Sequence, residues 1–330
     1  MADVAREAGV SVSTVSHVVN GTRRVNPATK ERVLAAMAAT GFRRNVLASA
    51  LVTSRTQTIG LSISALQNPY FATLVHSIEE RASARGFRLL MGDSHDDAQL
   101  EATLLSSLLD RRVDGMIVAP APGSERTALP ATIREGTPVV LIDRHADVDC
   151  DQIAPDNVEP TRAITQHLLD LGHTRIVAVT GLPSIQSTTE RIEGFESAVD
   201  SAGDDVRSVL LHGNSTMQDA HRVVLKAFRR PASRPTALVT LNNAMTVGAM
   251  RALKELGLKV PQDVALVCYD DFEWADLFEP RLTAIEQDVQ SMGRTAVDLL
   301  VDRINGAKGK RKVLRTAVIH HHRNSCGCPD

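Results

Sequence analysis

The chain is expected to fold as an all-α helix-turn-helix head followed by an α/β body of two doubly wound parallel-sheet halves. Three observations predict this. A short N-terminal run places apolar residues at helical spacing around a glycine. From Thr58 onward, short apolar runs alternate with amphipathic segments. The charge changes sign at the same place: residues 1–57 hold eight Arg and Lys against three Asp and Glu, a formal +5, and the remainder carries −7. A basic end on an acidic body is the asymmetry of a protein that meets phosphate at one end, with binding that weakens as salt rises.

The N-terminal run, Val4 to Gly21, reads as two short helices and a tight turn. Ala5 and Ala8 give the first helix a small apolar side, Gly9 supplies the permissive turn residue, and Ser11 can cap the second helix. Val15, Val18 and Val19 fall at i, i+3 and i+4, which turns Ser13, Thr14, Ser16 and His17 outward. Hydroxyls and an imidazole on a short helix suit a DNA major groove, where they bond base edges and phosphates. Any small helical domain also shows an apolar stripe and Ser or Thr caps, so the residues alone leave a purely structural role open. Asn26-Pro27 then opens a third helix, with Val33, Leu34, Met37 and Ala38 at helical spacing and Gly41 closing it. Such a head, about 40 residues, is marginal alone. The segment Phe42 to Thr53 allows one short helix capped by Asn45, weak in isolation at under about 12 residues.

In the body, Thr58 to Ser64, Phe87 to Met91, Val113 to Ala119 and Pro138 to Ile142 read as buried strands, with helices near 71–85, 100–110 and 129–135. A second series runs through Arg175 to Gly181, Ala237 to Leu241 and Val264 to Tyr269, with helices near 190–201, 217–228 and 245–256. Two doubly wound halves imply a ligand cleft at the carboxyl ends of their strands. Cys150 and Cys268 read as inert thiols. Cys326-Gly327-Cys328 with His320, His321 and His322 lacks Cys-x2-Cys spacing and a second ligand pair, so it reads as a surface strand and tail, and no metal or cofactor is expected. Neither a signal peptide nor a membrane-length apolar run is found, which predicts a cytoplasmic protein without a membrane partner. The sequence contains no Gly-x-Gly-x-x-Gly, Walker-type Gly-Lys-Ser/Thr or His-Glu-x-x-His, and nothing supplies a nucleophile beside Asp143 and Asp270, so an enzyme is not expected.

The head resembles that of the lactose/galactose repressor (LacI/GalR) family, through Asp3 to Ala5, Ala8 to Ser11, Thr14 to Ser16 and Val18 to Asn20. The body resembles the same family and the periplasmic sugar-binding proteins through Asn68-Pro69-Tyr70-Phe71, Val113-Asp114-Gly115, Asp143-Arg144, Arg191 with Gly194-Phe195, and Tyr269-Asp270-Asp271. The resemblance implies that Val12, Ser13 and His17 face bases, with Thr14, Ser16 and Asn20 on phosphates. It implies a hinge helix with Leu51 as the wedge driven into the minor groove, although Arg44 stands where family members commonly have Pro. It divides the chain into a head at 1–44, a hinge helix and linker at 45–57, and an effector-binding and dimerisation body at 58–330. The first half of that body would take 58–158 plus about 288–316, and the second 159–287 plus about 317–330.

By the same resemblance Asn68, Tyr70, Phe71, Asp143, Arg144, Arg191, Asn242, Asp270 and Gln287 line the cleft. Carboxylates and amides accept from adjacent hydroxyls, Arg donates as a fixed fork, and an aromatic face packs on the C–H side of a sugar. The expected protein is a homodimeric repressor that binds a pseudo-palindromic operator in double-stranded DNA and answers to a small effector, a monosaccharide or related polyol. The head is also similar to ribose- and purine-type members, so a purine- or other metabolite-responsive regulator acting with a corepressor is the alternative, and a sugar-processing enzyme a distant one. Whether the effector induces or corepresses stays open.

Overall fold

The computed structural model describes residues 1–20, 23–42, 55–66, 68–272, 275–277 and 279–328. The chain separates into two compact units, Met1–Gln57 and Thr58–Asp330.

Among its described residues the first unit carries α1 (Ala2–Ala8), α2 (Val12–Asn20) and α3 (Pro27–Ala39). Gly9 ends α1 in the left-handed conformation at φ 62°, and the Val10 amide returns to the Ala5 carbonyl at 3.0 Å, the reversal that a glycine makes cheaply. Ser11 caps α2 by accepting from the Thr14 amide at 3.1 Å. Asn26 caps α3 through the Ala28 amide at 3.0 Å, with Pro27 in the first turn. Val4, Ala5, Ala8, Val15, Val33 and Ala36 form the core, with Val18, Val19 and Met37 packed around it. The predicted stripe on α3 needs correcting: Leu34 is 48 % exposed and Ala38 also faces outward. Positions 33, 36 and 37 face α1 and α2, and a core this small admits only one stripe per helix. The expected hinge helix, Leu51 included, lies outside the described residues.

The second unit holds two six-stranded sheets. The first contains β1 (Thr58–Ile63), β2 (Arg88–Asp93), β3 (Gly115–Val118), β4 (Val139–Ile142), β5 (Asp151–Pro155) and β11 (Val313–Thr316) in the order β11-β5-β4-β3-β1-β2. The second contains β6 (Arg175–Thr180), β7 (Arg207–His212), β8 (Ala237–Thr240), β9 (Ala265–Tyr269), β10 (Thr283–Gln287) and β12 (Val318–His321) in the order β12-β10-β9-β8-β6-β7. All pairings are parallel except the β10–β12 edge. Helices α4 (Pro69–Ala84), α5 (Ala98–Asp110), α6 (Ala128–Arg134) and α11 (Val289–Ile304) go with the first sheet. Helices α7 (Val158–Asp170), α8 (Gln186–Ser201), α9 (Met217–Phe228) and α10 (Asn243–Glu255) go with the second. Central strands are apolar because both faces are covered.

The chain passes between the halves three times, near 155–158, 287–289 and 316–318. The first crossing is braced from both sides. Arg191 on α8 donates to Asn157 at 2.9 Å, the Tyr269 hydroxyl to the Asp156 carbonyl at 2.9 Å, and Arg315 to the Pro155 carbonyl at 2.8 Å and to Glu190.

Three helix pairs close on a glycine. A Cβ on Gly194 of α8 would fall 2.2 Å from the Val158 carbonyl of α7, and on Gly293 of α11 2.5 Å from Ser77 of α4. One on Gly248 of α10 would fall 2.2 Å from the Met217 carbonyl of α9. At the two carbonyl contacts, Gly194 and Gly248, the backbone itself must move. Gly248→Ala is therefore expected to destabilise the body by about 1–3 kcal/mol, read as a fall in thermal midpoint of roughly 3–10 °C. An unchanged melting curve would mean that α9 and α10 separate freely.

Candidate functional site

On the head, α2 presents its first turn to solvent. Val12 is 48 % exposed, Ser13 is exposed, and Thr14, Ser16 and His17 are half-buried, while Val15 is buried against the other helices. The Ser11 hydroxyl sits within 2.8 Å of both the Ser13 and Thr14 hydroxyls, so the cap also orders the polar face. Asn20 closes α2. An exposed helix start with ordered hydroxyls is a surface that can approach phosphates and base edges closely.

In the body, a cavity of about 80 Å3 lies between the halves, at the carboxyl ends of the strands. All nine residues expected there line it. Asp143 follows β4 and Asp270 follows β9, the corresponding strands of the two sheets, and each adopts a left-handed φ of 72°. That backbone is uncommon for a non-glycine residue, although Asp tolerates it better than most, and it turns the carboxylate into the cleft. The Tyr70 hydroxyl donates to Asp143 at 2.5 Å. Burial, then the Asp143 charge, pushes that hydroxyl well above the ordinary phenol range, so it stays a donor. Phe71 meets the Tyr70 ring edge-on with centroids 5.1 Å apart.

The two arginines are fixed before any ligand arrives. Arg144 pairs with Asp96, lies 3.2 Å from Asp143 and donates to the Pro120 carbonyl at 3.2 Å. Arg191 donates to Asn157 and to the Leu241 carbonyl at 2.6 Å, lies 4.0 Å from Asp270, and stacks its guanidinium 3.6 Å over the Tyr269 ring. Burial opposes the charge of both, yet Asp96 and Asp143 around Arg144, and Asp270 beside Arg191, hold them more basic than usual. Asp270 itself is held above the carboxylate range by burial, against the pull of Arg191 and Gln287.

Asn68 and Asn242 are helix caps, accepting from the Tyr70 amide at 3.0 Å and the Met245 amide at 2.8 Å. Each thus serves structure with its carbonyl oxygen while lining the cavity. Gln287 donates its amide to Asp270, and its own Oε1 is buried with no hydrogen-bond partner. A buried acceptor left alone costs about 1–3 kcal/mol, and a hydroxyl in the cavity would satisfy it. Sequence reading missed Asp96, Ser187, Thr188 and Ser215 in this lining. Asp96 and Ser215 have a shared signal: the pairs His95-Asp96 and Asn214-Ser215 each follow an edge strand, take left-handed φ of 50–60° and precede a helix cap. A larger groove of about 1230 Å3 runs beside the end of α10, lined mostly by apolar residues and by Arg251, Lys254, Lys259 and Glu279. In the cleft, carboxylates, amides and guanidinium groups from both halves converge on one small cavity, the pattern of a ligand site.

A helix-turn-helix head joined in one chain to a two-halved receptor with a polar cleft defines a ligand-responsive DNA-binding regulator. The family model described as "Bacterial regulatory proteins, lacI family" matches residues 1–45, and that described as "Periplasmic binding proteins and sugar binding domain of LacI family" matches residues 56–324. The chain belongs to the LacI family. It is 34 % identical to the ribose operon repressor of Escherichia coli over 98 % of this chain and 99 % of that one. It is 33 % identical to the HTH-type transcriptional repressor PurR of Aliivibrio fischeri over 94 % and 93 %. Among solved structures, the lac repressor dimer bound to operator and the anti-inducer ONPF superposes with a TM-score of 0.88 at 29 % identity, covering 98 % of each chain. A LacI family regulator from Enterococcus faecium with bound ribose superposes at 0.72 with 27 % identity, covering 81 % of this chain and 98 % of that one. Among the described residues no helix is long and apolar enough to cross a membrane.

Proposed function

We propose that this chain is a cytoplasmic, homodimeric repressor, without enzymatic activity, whose affinity for a pseudo-palindromic operator is changed by a monosaccharide or related polyol in the cleft. The observation that carries the ligand class is the lone buried Oε1 of Gln287 in a cavity rimmed by Asp143, Asp270 and Asn242. These acceptors suit adjacent hydroxyls, and three carboxylates, Asp96 included, oppose an anionic ligand. At about 80 Å3 the cavity is smaller than the roughly 150 Å3 that takes a benzene ring, so a sugar enters only as the two halves part. The ribose held by the Enterococcus faecium regulator supports the same class. Dimerisation is supported by exposed apolar residues on and beside two of the four edge strands, Met91 and Leu100 at β2 and Val209 on β7, since unpaired edges with apolar surface are interaction sites. Val12, Ser13 and His17 face bases, with Thr14, Ser16 and Asn20 on phosphates; Leu51 acts as the minor-groove wedge.

The test is a thermal-shift screen against pentoses, hexoses, polyols and purines. A sugar at about 100 times its dissociation constant stabilises by about 2.7 kcal/mol, a rise of roughly 5–10 °C for a domain of this size. The similarity to PurR makes a purine the rival, and stabilisation by purines alone would overturn the sugar reading. The active sugar, titrated into an operator-shift assay, then gives the sign, because the ligand favours whichever body state it binds better.

A further inference from the structure

The C-terminal tail is built into the second sheet rather than frayed. Arg323 is clamped by Asp271 at 2.8 and 2.9 Å and by the Leu282 carbonyl at 2.6 Å. Ser325 is held from four directions: its amide donates to the Arg281 carbonyl and its hydroxyl to the Leu266 carbonyl, while its Oγ accepts from the Thr283 amide and its carbonyl from the Leu266 amide. Gly327, at φ 97°, turns the chain between Cys326 and Cys328. This anchored tail meets His167, in the last turn of α7, far away in sequence.

One ligand atom each from His167, His322, Cys326 and Cys328 lies within 4.8 Å of all the others. Cys326 Sγ is 3.5 Å from His322 Nε2, and Cys328 Sγ is 3.7 Å from His167 Nε2. The two imidazoles meet edge-on with centroids 4.9 Å apart. A tetrahedron with Zn–N near 2.05 Å and Zn–S near 2.3 Å separates its corners by about 3.3–3.8 Å, so the two measured pairs already have the spacing of a filled site. Two thiolates and two neutral imidazoles are a donor set for zinc, and the thiolates cancel its charge. Cys326 is buried, His167 and Cys328 half-buried and His322 exposed, which leaves a path for entry.

We propose that His167, His322, Cys326 and Cys328 form a tetrahedral structural zinc site that staples the C-terminal tail to α7. With four protein ligands no position remains open for substrate or activated water, so the site serves stability, not chemistry. It is independent of the sugar reading, since none of the four lines the cleft.

The test uses the full chain purified in reductant without chelator, with metal content read by elemental analysis. One zinc per chain is expected. His322→Ala, at an exposed position that does not threaten folding, and His167→Ala should each lower zinc affinity at least tenfold, whereas His320→Ala should not. Cobalt(II) added to stripped protein should give the intense visible bands of tetrahedral thiolate coordination, lost in Cys328→Ser. Restoring zinc to stripped protein should raise the thermal midpoint, as any ligand confined to the folded state does. Less than one zinc per chain after reconstitution would overturn the site. So would zinc binding indifferent to His167→Ala, or a Cys326–Cys328 disulfide persisting in reductant.

Discussion

Replacing Asp270 by asparagine is expected to weaken sugar binding by about 10- to 150-fold, the equivalent of about 1.5–3 kcal/mol for a hydrogen bond to a charged group. The carboxylate accepts from Gln287 and from the Asn243 amide and lies 4.0 Å from Arg191. An asparagine must aim its NH2 at one of these donors or at the ligand, and it removes half of the acceptor capacity of this side chain. Two effects on the unliganded fold oppose each other: burial raises the Asp270 carboxyl above its ordinary value, so the amide removes a cost of ionisation as pH rises past the unfolded pKa, while the buried Arg191 loses its nearby counter-charge. The result to look for is therefore the sugar-induced shift of the variant measured from its own sugar-free midpoint, and that shift should be lost. A full sugar-induced shift in the variant would place the ligand elsewhere.

Operator binding is expected to collapse on Val12→Glu, by at least about 100-fold at fixed salt, while the head stays folded. Val12 is 48 % exposed in the first turn of α2, so the substitution touches no core. A carboxylate at a helix start stabilises the helix by about 0.3–1 kcal/mol. On DNA the same charge would enter a groove walled by phosphates, with no cation to pair it, and a like charge at an interface costs several kcal/mol. The parent protein should itself lose about 10³–10⁵ in affinity between 50 and 200 mM salt if six to ten phosphates are contacted. Operator affinity of Val12→Glu within tenfold of the parent would remove α2 from the interface.

The fold class was legible in the sequence because central strands covered on both faces read as apolar runs, as in Ile59 to Ile63 and Ala265 to Tyr269. What escaped notice was less regular. β7 is a largely exposed edge strand, β5 opens with the buried polar pair Asp151-Gln152, and β11 is only four residues long. At the cleft, strand-end residues such as Asp143-Arg144 announce themselves by polar character after an apolar run. Ser187 and Thr188 do not, since hydroxyls at a helix start look like caps. The Cys and His cluster was unreadable for a stricter reason: His167 shares no local pattern with the tail, and only the packing of α7 beside β12's continuation joins them.

Arg191 touches both the cargo and the axle. One face of its guanidinium borders the cavity beside Asp270, and its Nε holds Asn157, where the backbone first passes from one lobe to the other. Occupancy and lobe angle are therefore not separate variables in this receptor. A sugar that draws on that guanidinium also shifts the balance at the pivot.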